Sequence, residues 1–161
     1  ADPLETYRGL LDAGDPEKGR FLFHTNHDIR CNACHEVRGS GGGFVGPELS
    51  AVALRSSREH LLESLIEPSK VIAKGYQTIV VETDDGRIVS GTFVAEREGS
   101  LVLAPPTGGE ARVPLASIVE RAESTISSMP PMGQVFKPQQ IADLVAYLMT
   151  LRGEEPKKEE R

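Results

Sequence analysis

The residues best suited to chemistry lie in one pentapeptide, Cys31-Asn32-Ala33-Cys34-His35. A Cys-x-x-Cys-His string is the attachment signature of a c-type haem. The two thiols add to the porphyrin vinyl groups as thioethers, and the following imidazole lies beneath the iron. A short helical turn would bring these three side chains to one side of the ring. The motif therefore predicts one covalently bound haem c, with its iron ligated by His35.

Two other kinds of site contain a Cys-x-x-Cys pair. A zinc site needs two more Cys or His ligands at close spacing, and this chain has only two cysteines in all. A thioredoxin-like redox pair follows a β-strand, and nothing before Cys31 has the pattern of a strand. The sequence therefore favours haem over both alternatives.

The loop after the motif, Gly39 to Pro47, contains five glycines and ends in Gly46-Pro47. A haem-ligating histidine usually donates its second ring N–H to a backbone carbonyl, which orients the ring and raises its basicity. We therefore predict that the carbonyl of Pro47 accepts this hydrogen bond from His35.

Helical patterns lie on both sides of a stretch with strand patterns. The predicted helices begin at Asp15-Pro16 and at the Ser56–Glu59 capping box, and the last runs from about Pro138 to Leu151. Alternating apolar residues predict five strands: Tyr76–Thr83, Arg87–Val94, Ser100–Ala104, Arg112–Leu115 and Ser117–Arg121. These strands predict a small curled sheet or partial barrel, with Ile79, Val81, Ile88, Val102 and Val113 on its apolar face.

Several of these features together resemble a class I cytochrome c. They are Gly19 with Phe23 in the first helix, the haem motif, Gly46-Pro47, a Met-Pro-Pro segment at Met129, and Tyr147 in the closing helix. The resemblance implies a mainly α fold whose terminal helices cross. It also implies a haem site made of Cys31, Cys34, His35, Gly46, Pro47 and Met129, in which Met129 is the sixth ligand of the iron.

Residues 15–152 also resemble, more specifically, the haem-binding domain common in planctomycetes and verrucomicrobia. The matching stretches are Val45–Leu49, Arg58–Ser64, Gly75-Tyr76, Asp85–Arg87 and Ala142–Leu144. That domain is often joined to large membrane-associated dehydrogenases, so the resemblance implies a redox partner of this kind.

The sixth ligand has alternatives within the chain. We favour Met129 because two prolines stiffen the segment after it and because Met/His ligation is the cytochrome c arrangement. Met132 is the main alternative, and His24 or His27 could in principle form a bis-histidine site. Met149 lies in the last predicted helix and is expected to pack there.

The sequence predicts a cytochrome core interrupted by a β-rich module. The expected parts are an N-terminal arm (1–14), a cytochrome c core (15–75 and 122–152), an inserted antiparallel sheet (76–121) and a charged flexible tail (153–161). The expected fold is thus mainly α, with the sheet between the haem-binding helices and the Met129 loop. We expect the sheet to fold semi-independently and to cover part of the distal side of the haem.

The composition and the ends of the sequence limit which partners and which cellular location we expect. The net charge is −6, from 18 basic and 24 acidic residues, and no basic stripe predicts binding to nucleic acid. The apolar run Leu144–Leu151 is too short to span a bilayer. The start Ala1-Asp2-Pro3 is typical of a mature terminus after signal-peptide removal, and covalent haem maturation also predicts a periplasmic or otherwise exported protein.

The expected function is electron transfer by a single haem that cycles between Fe(III) and Fe(II), with protein redox partners as donor and acceptor. The sequence contains no acid–base constellation that would indicate an enzyme, so we expect the protein not to be one. The alternatives are a haem sensor or minor peroxidase with a labile sixth ligand, and the electron-accepting haem domain of a larger dehydrogenase.

Overall fold

The computed structural model describes residues 1–42 and 45–153. Its α-helices are α1 (Glu5–Arg8), α2 (Pro16–Thr25), α3 (Cys31–Cys34), α4 (Arg58–Ile66) and α5 (Pro138–Leu148). Short 3₁₀ turns lie at Leu11–Ala13, Val52–Leu54, Leu115–Ser117 and Met132–Gln134. The strands are β1 (Glu36–Val37), β2 (Ser40–Gly41), β3 (Thr78–Thr83), β4 (Ile88–Arg97), β5 (Ser100–Ala104), β6 (Ala111–Pro114) and β7 (Ile118–Glu123).

The helices α2 and α5 form the closest helix pair of the fold. The Asp15 carboxylate caps α2 by accepting hydrogen bonds from two backbone N–H groups of its first turn. At Gly19 an added Cβ would overlap the carbonyl oxygen of Asp143 and lie 2.8 Å from the Cβ of Tyr147. Only glycine allows this approach, and the predicted packing of Tyr147 across Gly19 is confirmed. The ring of Phe23 then fills the adjacent space, 5.6 Å from the Tyr147 ring.

The N-terminal segment is part of the packed structure. Leu4 is 2% exposed and belongs to the helical core, and Tyr7 packs against the same core. On the surface, the Arg8 guanidinium pairs with Glu59 of α4 at 2.7 Å. The segment expected as an arm therefore lies against the helices.

The larger sheet is antiparallel, with the strand order β6-β5-β4-β3-β7. It has a buried core of its own, formed by Ile79, Val81, Leu101, Leu103 and Val113. Two members of the predicted apolar face lie elsewhere. Ile88 pairs with Glu82 and is 63% exposed, because paired residues share a face and Glu82 points away from this core. Val102 is fully buried but does not belong to this core cluster.

The prediction of a mainly α fold of the class I cytochrome type is wrong. The chain is about 33% helical and 23% strand, with five helices and a five-stranded antiparallel sheet among the residues described. The physical reason is that residues 78–123 form a full sheet with its own apolar core, while α1 and α3 contain only four residues each. The fold is therefore a mixture of α and β structure.

The predicted division into a core, a module and a tail stays a prediction, and residues 154–161 of the tail lie outside the described part of the chain. Within the described ranges, no helix has the length and apolar character needed to cross a lipid bilayer.

Candidate haem attachment site

The two cysteines and the histidine of the motif lie in a single helical turn. The helix α3 contains both cysteines, and His35 ends it by donating its backbone N–H to the carbonyl of Cys31 at 3.0 Å. Both cysteines are free thiols, and Cys31 packs against the helical core. Each thiol is therefore available for a thioether bond next to the imidazole.

Burial raises the pKa of both thiols. The pKa of Cys31 rises to about 11, and that of Cys34 rises for the same reason. Both groups are therefore neutral near pH 7. A thioredoxin-like pair needs the opposite shift, because its attacking cysteine must be a thiolate.

The imidazole of His35 is held by the loop that follows it. Its Nδ1 lies 2.8 Å from the carbonyl oxygen of Pro47. A carbonyl can only accept a hydrogen bond, so Nδ1 carries the proton and the lone pair lies on Nε2. The predicted hydrogen bond between these groups is present.

The same environment keeps the His35 ring neutral. Burial lowers the pKa of His35, and the hydrogen bond to Pro47 opposes this shift. A histidine ligand must be neutral to offer its lone pair, and a carbonyl on its second nitrogen orients it and raises its basicity. The ring is therefore prepared for a metal at Nε2.

Gly46 places its backbone against the face of this ring. An added Cβ would lie 2.7 Å from Cε1 of His35 and 2.9 Å from its Nδ1. The N–H of Gly46 also donates to the carbonyl of Cys34 at 3.1 Å. Glycine is therefore required for the loop to reach both Cys34 and His35.

We expect Gly46→Ala to destabilise the site, because the new methyl group must displace the His35 ring or the loop. Overpacking of this kind costs about 1–3 kcal/mol. A guanidinium titration of the haem-bound protein should show a lower midpoint, and the haem spectrum should change. Gly9→Ala is the matched control, since Gly9 has φ −64° and open space around an added Cβ. Equal effects of the two substitutions would contradict this account of Gly46.

The two candidate methionines differ in their surroundings. Met132 begins a 3₁₀ turn, is 3% exposed and lies in the helical core. Met129 is partly buried against that core, and its backbone N–H donates to the hydroxyl of Ser127 at 3.1 Å. Cys31 and Met129 thus pack against one apolar cluster. The ligation of iron by His35 and Met129 stays a prediction.

The histidines considered as alternative ligands lie before the motif. Nε2 of His24 is 2.9 Å from the hydroxyl oxygen of Tyr147, and burial lowers the pKa of His24. His27 is exposed. Together with Arg30 and Asn32 they line a surface cleft of about 340 Å³ beside α3.

One contact of the loop with the sheet cannot be predicted from the sequence. The Thr92 hydroxyl donates to the carbonyl of Val45, the residue before Gly46, at 2.9 Å. A threonine in a strand gives no local sign of such a contact, since the contact depends on how the sheet packs against the loop.

The residues present fit a covalently bound haem. They supply two free thiols in one turn, a neutral imidazole with its lone pair on Nε2, and a glycine backbone that leaves room for the ring. Such an arrangement is the one expected of a c-type haem attachment site.

Comparison with known proteins supports this class. Over 53 residues, 33% of this chain, the sequence is 32% identical to a cytochrome c-553-like protein of Synechocystis sp.. The matched stretch covers 45% of that protein, so the chain spans less than half of the relative's length. No protein-family model matches the chain. The similarity supports a c-type cytochrome and suggests a haem-based role in electron transfer.

Proposed function

We propose that this protein is an electron carrier with one haem c, bound through Cys31 and Cys34 and ligated by His35 and Met129. The observation that carries the proposal is the hydrogen bond from Nδ1 of His35 to the carbonyl of Pro47, in the turn that also holds both thiols. When bound, the haem supplies a one-electron couple between Fe(III) and Fe(II).

The chain's own groups suit this role. Pro47 holds the tautomer and the orientation of His35, and Gly46 restricts movement of the ring. Met129 offers a thioether sulfur, a ligand that raises the reduction potential. Since His35 and Met129 would both bind the iron, electron transfer would need no substrate at the metal.

The proposed setting is the periplasm or another exported compartment, because covalent haem maturation takes place on exported proteins. The proposed partners are a donor and an acceptor redox protein. The resemblance to the haem-binding domain of planctomycetes and verrucomicrobia supports a dehydrogenase as one of them.

Carbon monoxide tests whether both axial positions are filled. We expect the reduced protein at neutral pH to keep its visible spectrum when carbon monoxide is added, because the sulfur of Met129 would already be bound to the iron. A Met129→Leu variant, which lacks the sulfur, should bind the gas and serves as the positive control. Rapid stoichiometric binding by the unaltered protein would instead support a sensor or peroxidase with a labile sixth ligand.

A further inference from the structure

Two threonines that face each other in the sheet connect it to the segments around the haem site. Thr78 of β3 and Thr92 of β4 are directly paired in the antiparallel ladder. Paired residues of antiparallel strands point to the same face, so both hydroxyl groups leave the sheet on one side. This face is opposite to the one that carries Ile79 and Val81.

Thr92 holds the loop on the His35 side. Its side chain is 1% exposed, and its hydroxyl donates to the carbonyl of Val45 at 2.9 Å. The next two residues are Gly46, whose backbone lies against the His35 ring, and Pro47, whose carbonyl accepts from Nδ1. The sheet therefore fixes the loop one residue before its contacts with His35.

Thr78 holds the segment on the methionine side. Its hydroxyl oxygen lies 2.7 Å from the hydroxyl oxygen of Ser128, the residue before Met129. The carbonyl of Thr78 also accepts a hydrogen bond from the N–H of Ser124 at 2.8 Å. The backbone that leads to Met129 is therefore attached to the sheet at two points.

We propose that Thr78 and Thr92 are positioning residues that together hold the His35 loop and the Met129 segment at a fixed separation. This inference rests on the proposed function, since it concerns the two proposed axial ligands. Val45 and Ser128 are far apart in the chain, so local structure cannot fix the distance between them. The β3–β4 ladder can fix this distance, because the Cα atoms of paired antiparallel residues lie only about 4.5–5.5 Å apart.

The described part of the loop is positioned by hydrogen bonds to neighbouring segments. Gly42 donates its backbone N–H to the carbonyl of Asn32, and Gly46 donates to that of Cys34. The hydrogen bond from the buried Thr92 to the carbonyl of Val45 adds a tie between this loop and the sheet. It follows that the iron environment depends on side chains of the sheet that do not touch the iron.

The test compares Thr92→Val and Thr78→Val, which remove the hydroxyl at nearly constant volume, with Thr92→Ser and Thr78→Ser, which retain it. In the haem-bound protein, Thr92→Val should speed hydrogen exchange of the Gly46 amide by roughly five- to tenfold, the loss expected for one hydrogen bond. Thr78→Val should weaken the red absorption band of thioether-ligated Fe(III). Both valine variants should shift the reduction potential, and both serine variants should behave like the parent.

Thr83→Val separates positioning from general stability. Thr83 is 2% exposed, and its hydroxyl bonds within the β3–β4 turn, to Asp85 and to the Arg87 carbonyl. This variant should lower the denaturation midpoint and leave the potential and the red band unchanged. If a valine variant at position 78 does not fold, Ser128→Ala removes the same hydrogen bond from a partly buried position and should give the same spectral change.

The outcomes distinguish this inference from the function on which it rests. If the parent protein binds haem and the valine variants keep its reduction potential, red band and Gly46 amide exchange, the inference about the two threonines is wrong. The proposed function is then unaffected. A parent protein that attaches no haem under c-type maturation would overturn the proposed function and this inference together.

Discussion

A variant with both Cys31 and Cys34 replaced by alanine is expected to lose all covalently bound haem. The chain contains no other cysteine, so no thioether bond can form in this variant. The remaining contact of His35 with iron is reversible and cannot withstand denaturation. The measurement is the haem absorbance that stays with the protein after extraction with acidified acetone, following production with c-type haem maturation.

The single variants Cys31→Ala and Cys34→Ala are the controls for this experiment. Each retains one thiol in the same turn as His35, so each should keep haem after extraction through its one remaining thioether. Haem bound to the double variant at the level of the parent would show that these cysteines do not attach it.

The second large effect is expected for Met129→Leu, which removes the sulfur at nearly constant volume. The variant should lose the weak red band of thioether–Fe(III). Its reduction potential should fall by about 0.1–0.2 V, within the range of roughly 0.8 V that axial ligands span. Visible spectra of the oxidised protein and a redox titration measure these changes.

Met132→Leu is the matched control, because Met132 lies three residues away and is buried in the helical core. It should keep both the band and the potential of the parent. If Met132→Leu loses the band and Met129→Leu keeps it, Met132 is the ligand. If both variants keep the band, methionine is excluded as the sixth ligand.

Local patterns in the sequence are sufficient to predict the positions of the individual strands. Ser100–Ala104 has the predicted bounds, and the neighbouring strands differ from prediction by up to three residues at their ends. Alternation of apolar residues is a local signal, which explains this agreement. The predicted class of the fold is wrong because it rests on a resemblance at a few motif positions, whereas the share of sheet depends on the whole of residues 78–123.

The candidate site shows the same division between local and distant contacts. The hydrogen bond between His35 and Pro47 is predictable from the motif, because a haem-ligating histidine usually donates its second ring N–H to a backbone carbonyl. The contacts of Thr92 with Val45 and of Thr78 with Ser128 join residues 47 and 50 positions apart. Such contacts follow from the packing of the sheet, which no local pattern specifies. The packing of Leu4 was also missed, since the four residues of α1 are too few to show a helical period.

The intact mass of the chain tests the central claim of a covalent haem most directly. The protein is produced in a host with c-type haem maturation, and its mass is measured under denaturing conditions that release any haem held by ligation alone. The account predicts a single species with the mass of the polypeptide plus one haem. A polypeptide without added mass, from a protein that is folded and exported, would contradict it.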